Sequence, residues 1–286
     1  MGDAATLAVL KDLLYFSALS LLVGLLAYQW LERRVDAYLY TGGGNVFVTP
    51  YGWPDAIAAL GLAAILTTGI WAGDDTPSEV NPTKEVVKSV ADQAMSIGLG
   101  SVIMLMIGVV LLAFIRVVRD LDPAEMFGIR TVPVGRVIVI ALCYALPSFL
   151  LVTALSNICN ELLSGVWHDL QPQEPVKVMQ ESGSLLLQSL LGVSAVIIAP
   201  LTEELLFRGY LYGVLKRFTD SYFAAVASAL IFALVHQHIG TVLPLFSLGL
   251  VLVLAYELTG SLLVPIFIHA LFNLGSTALI LMGVDA

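Results

Sequence analysis

The sequence predicts an all-α fold, a polytopic membrane helix bundle of about eight transmembrane helices. Three observations predict it. Of 286 residues, 58% are hydrophobic and only 12% are charged, against roughly 25% charged in soluble domains. Mean hydropathy is +0.92. Apolar stretches near the ~20 residues that a spanning helix needs recur along the whole chain. The net charge of -9 comes with no basic patch or stripe, so no nucleic-acid partner is expected and the lipid bilayer is the first partner.

The elements follow in order. The first apolar stretch, 13–31, has no basic region before it, so it reads as an uncleaved span and not a signal peptide. The second and third, 54–72 and 95–115, are joined by an acidic, proline-containing loop, 73–94. The segment Arg116–Arg136 mixes charge with Met126 and Phe127, as an interfacial turn or short helix would. The fourth stretch, 136–158, contains Cys143 and nearly reaches Cys159; two cysteines 16 residues apart on one helix cannot pair. A second acidic loop, 167–182, contains His168, read as a surface residue, and leads to the fifth stretch, 184–202. The sixth and seventh, 220–236 and 241–257, are shorter and separated only by Gln237–Gly240. The eighth is 261–282. No repeat or low-complexity tract divides the chain, so residues 1–286 read as a single membrane domain.

Basic residues set the orientation. With the N-terminus outside, nine Lys and Arg fall on the inner side: Arg33, Arg34, Arg116, Arg119, Arg130, Arg136, Arg208, Lys216 and Arg217. Four fall outside: Lys11, Lys84, Lys88 and Lys177. The positive-inside rule favours this arrangement.

The chemistry is expected where polar groups interrupt apolar runs. Glu203 and Glu204 stand side by side, with Arg208 following. A charge at bilayer depth costs roughly 2.5–3.5 kcal/mol on insertion scales, so such residues need partners. Glu204 and Arg208 are i and i+4 on a helix and can pair; Glu203 is turned about 100° away. His236 closes the sixth stretch. His269 and Asn273, again i and i+4, share a face in the eighth. Counted at 1.5 Å per residue from the presumed inner surface, Glu204, His236 and His269 lie about 20, 24 and 14 Å deep. A carboxylate, imidazoles and an amide at overlapping depth suit hydrolysis by activated water. A structural buried ion pair is the plainer alternative.

These pieces resemble the CAAX-protease and bacteriocin-processing family, also called the Abi or type II CAAX prenyl protease family. The resemblance rests on Glu203-Glu204-x-x-x-Arg208, Phe232-x-x-x-His236 and His269-x-x-x-Asn273, in that order, within 184–282. Residues 1–120 show no clear match. The resemblance implies an intramembrane endopeptidase with a cytoplasm-facing internal cavity, in the plasma (inner) membrane of a prokaryote. Its substrate would be a membrane-associated protein or peptide. It implies Glu203 as general base, with His236 sharing the water, His269 and Asn273 as oxyanion donors, and Glu204 as a carboxylate held by Arg208. It leaves one cofactor open: Zn2+ on Glu203, His236 and His269, in a metalloprotease version of the site. Two rival readings are a non-catalytic scaffold or immunity-type protein that retains the motifs, and a proton-coupled transporter.

Overall fold

The computed structural model describes residues 44–72, 89–164 and 173–283. The first apolar stretch, most of the loop 73–94 and His168 lie outside the described residues. Within them every regular element is helical. We number the helices α1 (Trp53–Ala72), α2 (Val90–Val118), α3 (Pro123–Met126), α4 (Val134–Ser164), α5 (Glu174–Glu181), α6 (Leu185–Phe218), α7 (Ser221–Leu234), α8 (Val242–Thr259) and α9 (Leu263–Leu281). Five of them, α2, α4, α6, α8 and α9, are long and apolar enough to cross a membrane. Large apolar side chains such as Met95, Leu146 and Leu185 point outward from these helices. The chain is a multi-pass integral membrane protein.

Local chemistry explains where the helices begin and end. Ser89 and Asp92 cap α2 reciprocally, each side chain taking the other's backbone N–H. Asp122 caps α3, whose first residue is Pro123. Asp220 accepts from the N–H groups of Tyr222 and Phe223 and so starts α7 immediately after α6. Gly260 ends α8 with φ +64°, the left-handed residue that commonly closes a helix. A second left-handed glycine, Gly128 (φ +60°), meets it: the Leu262 N–H donates to the Phe127 carbonyl at 3.0 Å. Arg116–Arg136 is therefore a packed turn around α3, with Met126 and Phe127 buried.

The structure corrects three expectations. The fifth stretch does not stop at 202; α6 runs on to Phe218 and carries the glutamates in mid-helix. A hydropathy window falls wherever two carboxylates adjoin, although the backbone continues. The loop 167–182 is not all loop, since α5 forms within it and buries Met179. Arg208, counted with the inner basic residues, is fully buried beside Glu204. It bears on the site and not on orientation, which leaves eight basic residues against four.

Helix α6 is the centre of the bundle, packed against α2, α7, α8 and α9. One apolar core gathers around Phe207, Tyr210, Tyr212 and Phe232, and a second around Leu248, Leu252, Val264 and Ile268. Cys143 and Cys159 are both free and both on α4, as their spacing requires.

Candidate active site

The site is built on an irregular helix. In α6, Ala199–Glu204 is α-helical and is bracketed by π-helical stretches, Ser194–Ile198 and Leu205–Tyr212. Such stretches are rare and recur at functional sites. The upper one has a cause readable in the residues. There the Ala199 N–H bonds the Ser194 carbonyl, five residues back. The next donor in that pattern would be Pro200, which has no N–H. The Ala195 carbonyl is satisfied from another helix instead, by Nδ2 of Asn273 at 2.7 Å.

The glutamates sit between these two stretches. Oε1 of Glu204 accepts Nη1 of Arg208 at 2.9 Å and Nδ1 of His269 at 2.8 Å. Glu204 and Arg208 side chains are 0% exposed. A lone carboxylate in that position would be strongly destabilising, so the double pairing is what permits it. The bond to Glu204 also fixes a hydrogen on Nδ1 of His269 and directs the ring. Its Nε2 then faces Oε2 of Glu203 at 3.8 Å. Both atoms can reach one water at ordinary hydrogen-bond length. Glu203 is the more open of the pair, at 15% exposure.

Phe232 joins the remaining pieces. Its ring is fully buried, with the Arg208 guanidinium 4.2 Å from its centroid. That contact compensates in part for buried Nε and Nη2 atoms that have no hydrogen-bond partner. The same ring meets His269 edge-on at 5.8 Å, His236 at 5.0 Å and Phe207 at 5.3 Å. Nδ1 of His236 donates to the Phe232 carbonyl at 2.8 Å, which leaves Nε2 as the free nitrogen. The spacing Phe-x-x-x-His thus has a physical content: one residue supplies the ring that seats Arg208 and the carbonyl that turns His236. His236 itself lies just past the end of α7, in a turn where Gln237 takes φ +53°.

Of the six expected residues, Glu204, Arg208 and His269 form one bonded cluster, Glu203 stands 3.8 Å from His269, and His236 joins through Phe232. Asn273 shares the helix of His269, but its amide goes to Ala195. One of its two N–H groups remains for other work. The zinc alternative asked Glu203, His236 and His269 to share one ion. Among the described residues, no three His, Cys, Asp or Glu side chains gather as a metal-binding group. The donors as arranged do not fit a three-ligand zinc.

Sequence reasoning missed a second polar layer below the site. Asp55, fully buried, accepts Nε of Arg119 on both oxygens at 3.0 Å. Glu257 accepts Lys216 and Tyr212. Asp55 follows Pro54 in the first turn of α1 and reads in the sequence as an ordinary helix-start acid.

Comparison with known proteins agrees with the motifs. Residues 185–275 match the family model described as Type II CAAX prenyl endopeptidase Rce1-like. The chain is 34% identical over 77 residues to the putative membrane peptidase YdiL of Bacillus subtilis, covering 27% of this chain and 32% of that protein. It is 40% identical over 83 residues to the membrane-embedded CAAX protease MroQ of Staphylococcus aureus, covering 27% of this chain and 34% of that one. The matched region thus spans about a third of each relative's length. Both relatives are bacterial, in keeping with the expected prokaryotic membrane. No solved structure matches the chain. The resemblance read from three short motifs is therefore borne out over the segment that carries them, residues 185–275, which is similar to the type II CAAX prenyl endopeptidases.

Proposed function

We propose that this protein is an intramembrane endopeptidase that hydrolyses a peptide bond in a membrane-associated protein or peptide. The observation that carries the reading is the division of labour between adjacent glutamates. Glu204 is consumed by Arg208 and His269, while Glu203 stands beside the free face of that same imidazole. A structural ion pair needs one carboxylate for one guanidinium; it gives no reason for the second.

In this mechanism Glu203 takes a proton from a water held beside Nε2 of His269. The water oxygen attacks the carbonyl carbon, and the carbonyl oxygen becomes an oxyanion. Nε2 of His269 is the first donor to that oxyanion. The spare N–H of Asn273 is the second donor. His236 accepts from the attacking water through Nε2. The proton on Glu203 then passes to the leaving amine as the C–N bond breaks. No covalent acyl-enzyme forms, and no step uses a metal. The site opens toward the cytoplasm. The matching family model and the similarity to the CAAX protease MroQ put CAAX-type substrates first among those to try.

The test exposes purified full-length protein in detergent to a diverse peptide library, wild type beside Glu203→Gln. We expect wild-type cleavage, its complete loss in the variant with unchanged thermal unfolding, and indifference to a chelator. Equal cleavage by both proteins overturns the mechanism. Cleavage lost to the chelator and restored by zinc replaces it with the metal version. No cleavage by the wild type favours the scaffold reading.

A further inference from the structure

The π register below the glutamates lets one helix serve two polar layers. Above Leu205–Tyr212, Glu204 meets His269. Below or within it, Tyr210 reaches Asp55 at 3.4 Å and Lys216 pairs with Glu257. A π stretch holds one residue more than the α-helix it interrupts. Relaxation to α geometry would turn one layer against the other by about 100°, the step of one residue. Such backbone persists only where its surroundings over-determine it. At the upper stretch the fixing group is Asn273 on Ala195.

At the lower stretch it is Tyr51. Its hydroxyl donates to the Gly209 carbonyl, in the middle of the π run. Its ring occupies the space left by Gly213, where an added Cβ would come within 2.6 Å of ring atoms. Tyr51 is 2% exposed. Burial, then the neighbouring Tyr256, Tyr210 and Asp55, holds its phenol well above its ordinary pKa of 10.0, so it remains a donor. The segment around it is tied down in turn. Asp55 accepts Arg119 and the Gly52 N–H, Arg119 reaches the Pro50 carbonyl at 3.1 Å, and Arg217 reaches the Tyr51 carbonyl at 3.3 Å.

We propose that Tyr51, latched by Asp55 and Arg119, is a positioning residue for the glutamate pair: it holds the π register of Leu205–Tyr212 that presents Glu204 to His269. The activity readout rests on the hydrolytic reading above, so the test adds one that does not. In wild-type protein in liposomes, the His269 Nδ1 proton bonded to a carboxylate gives a strongly downfield NMR signal, assigned by its loss in His269→Gln. Tyr51→Phe keeps the ring and removes the donor. It is expected to weaken or shift that signal and to lower kcat on the best-cleaved library peptide by about ten- to a hundredfold, with KM near wild type. Gly213→Ala, which drives the ring out, should act in the same direction. In a Tyr51→Ala background, Gly213→Ala should add nothing. An unchanged His269 signal in Tyr51→Phe overturns the proposal, whatever happens to turnover. If wild-type protein cleaves nothing while the signal still responds to Tyr51→Phe, the hydrolytic reading fails and the positioning role stands.

Discussion

Arg208 shows how much one side chain has to do at this depth. It neutralises Glu204, lies over Phe232 and fixes the carboxylate that aims His269. Lysine would keep the charge and lose the planar fork and the flat face. We therefore expect Arg208→Lys to reduce turnover by about a hundredfold, the scale on which small misplacements of a catalytic group are felt, while the protein still reaches the membrane. Steady-state kinetics beside a thermal unfolding scan checks this; wild-type turnover would remove Arg208 from the site's support. The pairing was legible in the sequence because i and i+4 geometry survives into the structure. The partner of Asn273 was not. Pro200 is visible in the sequence, but its missing N–H reaches Ala195 only if that turn is π-helical, and residue spacing on an α-helix does not encode such a register.

Helix α6 is braced by the turn around α3. Gly209, which takes the Tyr51 hydroxyl, faces Phe127 on its other side, and Phe127 is held by the meeting of Gly128 with Gly260. At Gly128 a Cβ would stand 1.8 Å from the Gly260 carbonyl oxygen, on a backbone already at φ +60°. Gly128→Ala should therefore destabilise the protein by at least roughly 1–3 kcal/mol, read as a lower unfolding temperature in detergent. Ala substituted at Gly135, where an added Cβ meets nothing within 4 Å, is the control. Element identity was legible for the seven apolar stretches that fall on described residues, since each contains a helix. Boundaries were less so. The glutamates hid the continuation of α6, and α7 ends at Leu234, two residues before the stretch assigned to it.

For the molecule as a whole, the basic residues that remain after Arg208 is set aside still favour an inner side holding α3 and the α6–α7 turn. A single cysteine at Arg130, in a Cys143→Ala and Cys159→Ala background, should resist an impermeant thiol reagent in intact cells and react after permeabilisation. One at Val176, in α5, should react from outside. Strong external labelling at 130 would reverse the orientation and with it the side toward which the proposed site opens. The bundle class was legible because a bilayer admits so few architectures. Glu204, His236 and His269 were expected at overlapping depths, and Phe232 touches His236, His269 and the Arg208 that pairs with Glu204. The two π-helical stretches of α6 shift those depths, because a helix with extra residues per turn does not advance 1.5 Å at each of them.

The bracketed helix has a consequence for how this protein can change over time. Along α6, outward positions such as Leu185, Val193 and Ile197 can exchange one apolar side chain for another. Between Ala195 and Tyr212 the length itself carries information. Gaining or losing a single residue there would leave composition and hydropathy almost untouched while turning the glutamates away from α9. The lineage of such a chain is free to drift by replacement and closed to insertion and deletion across those two dozen ångströms of helix.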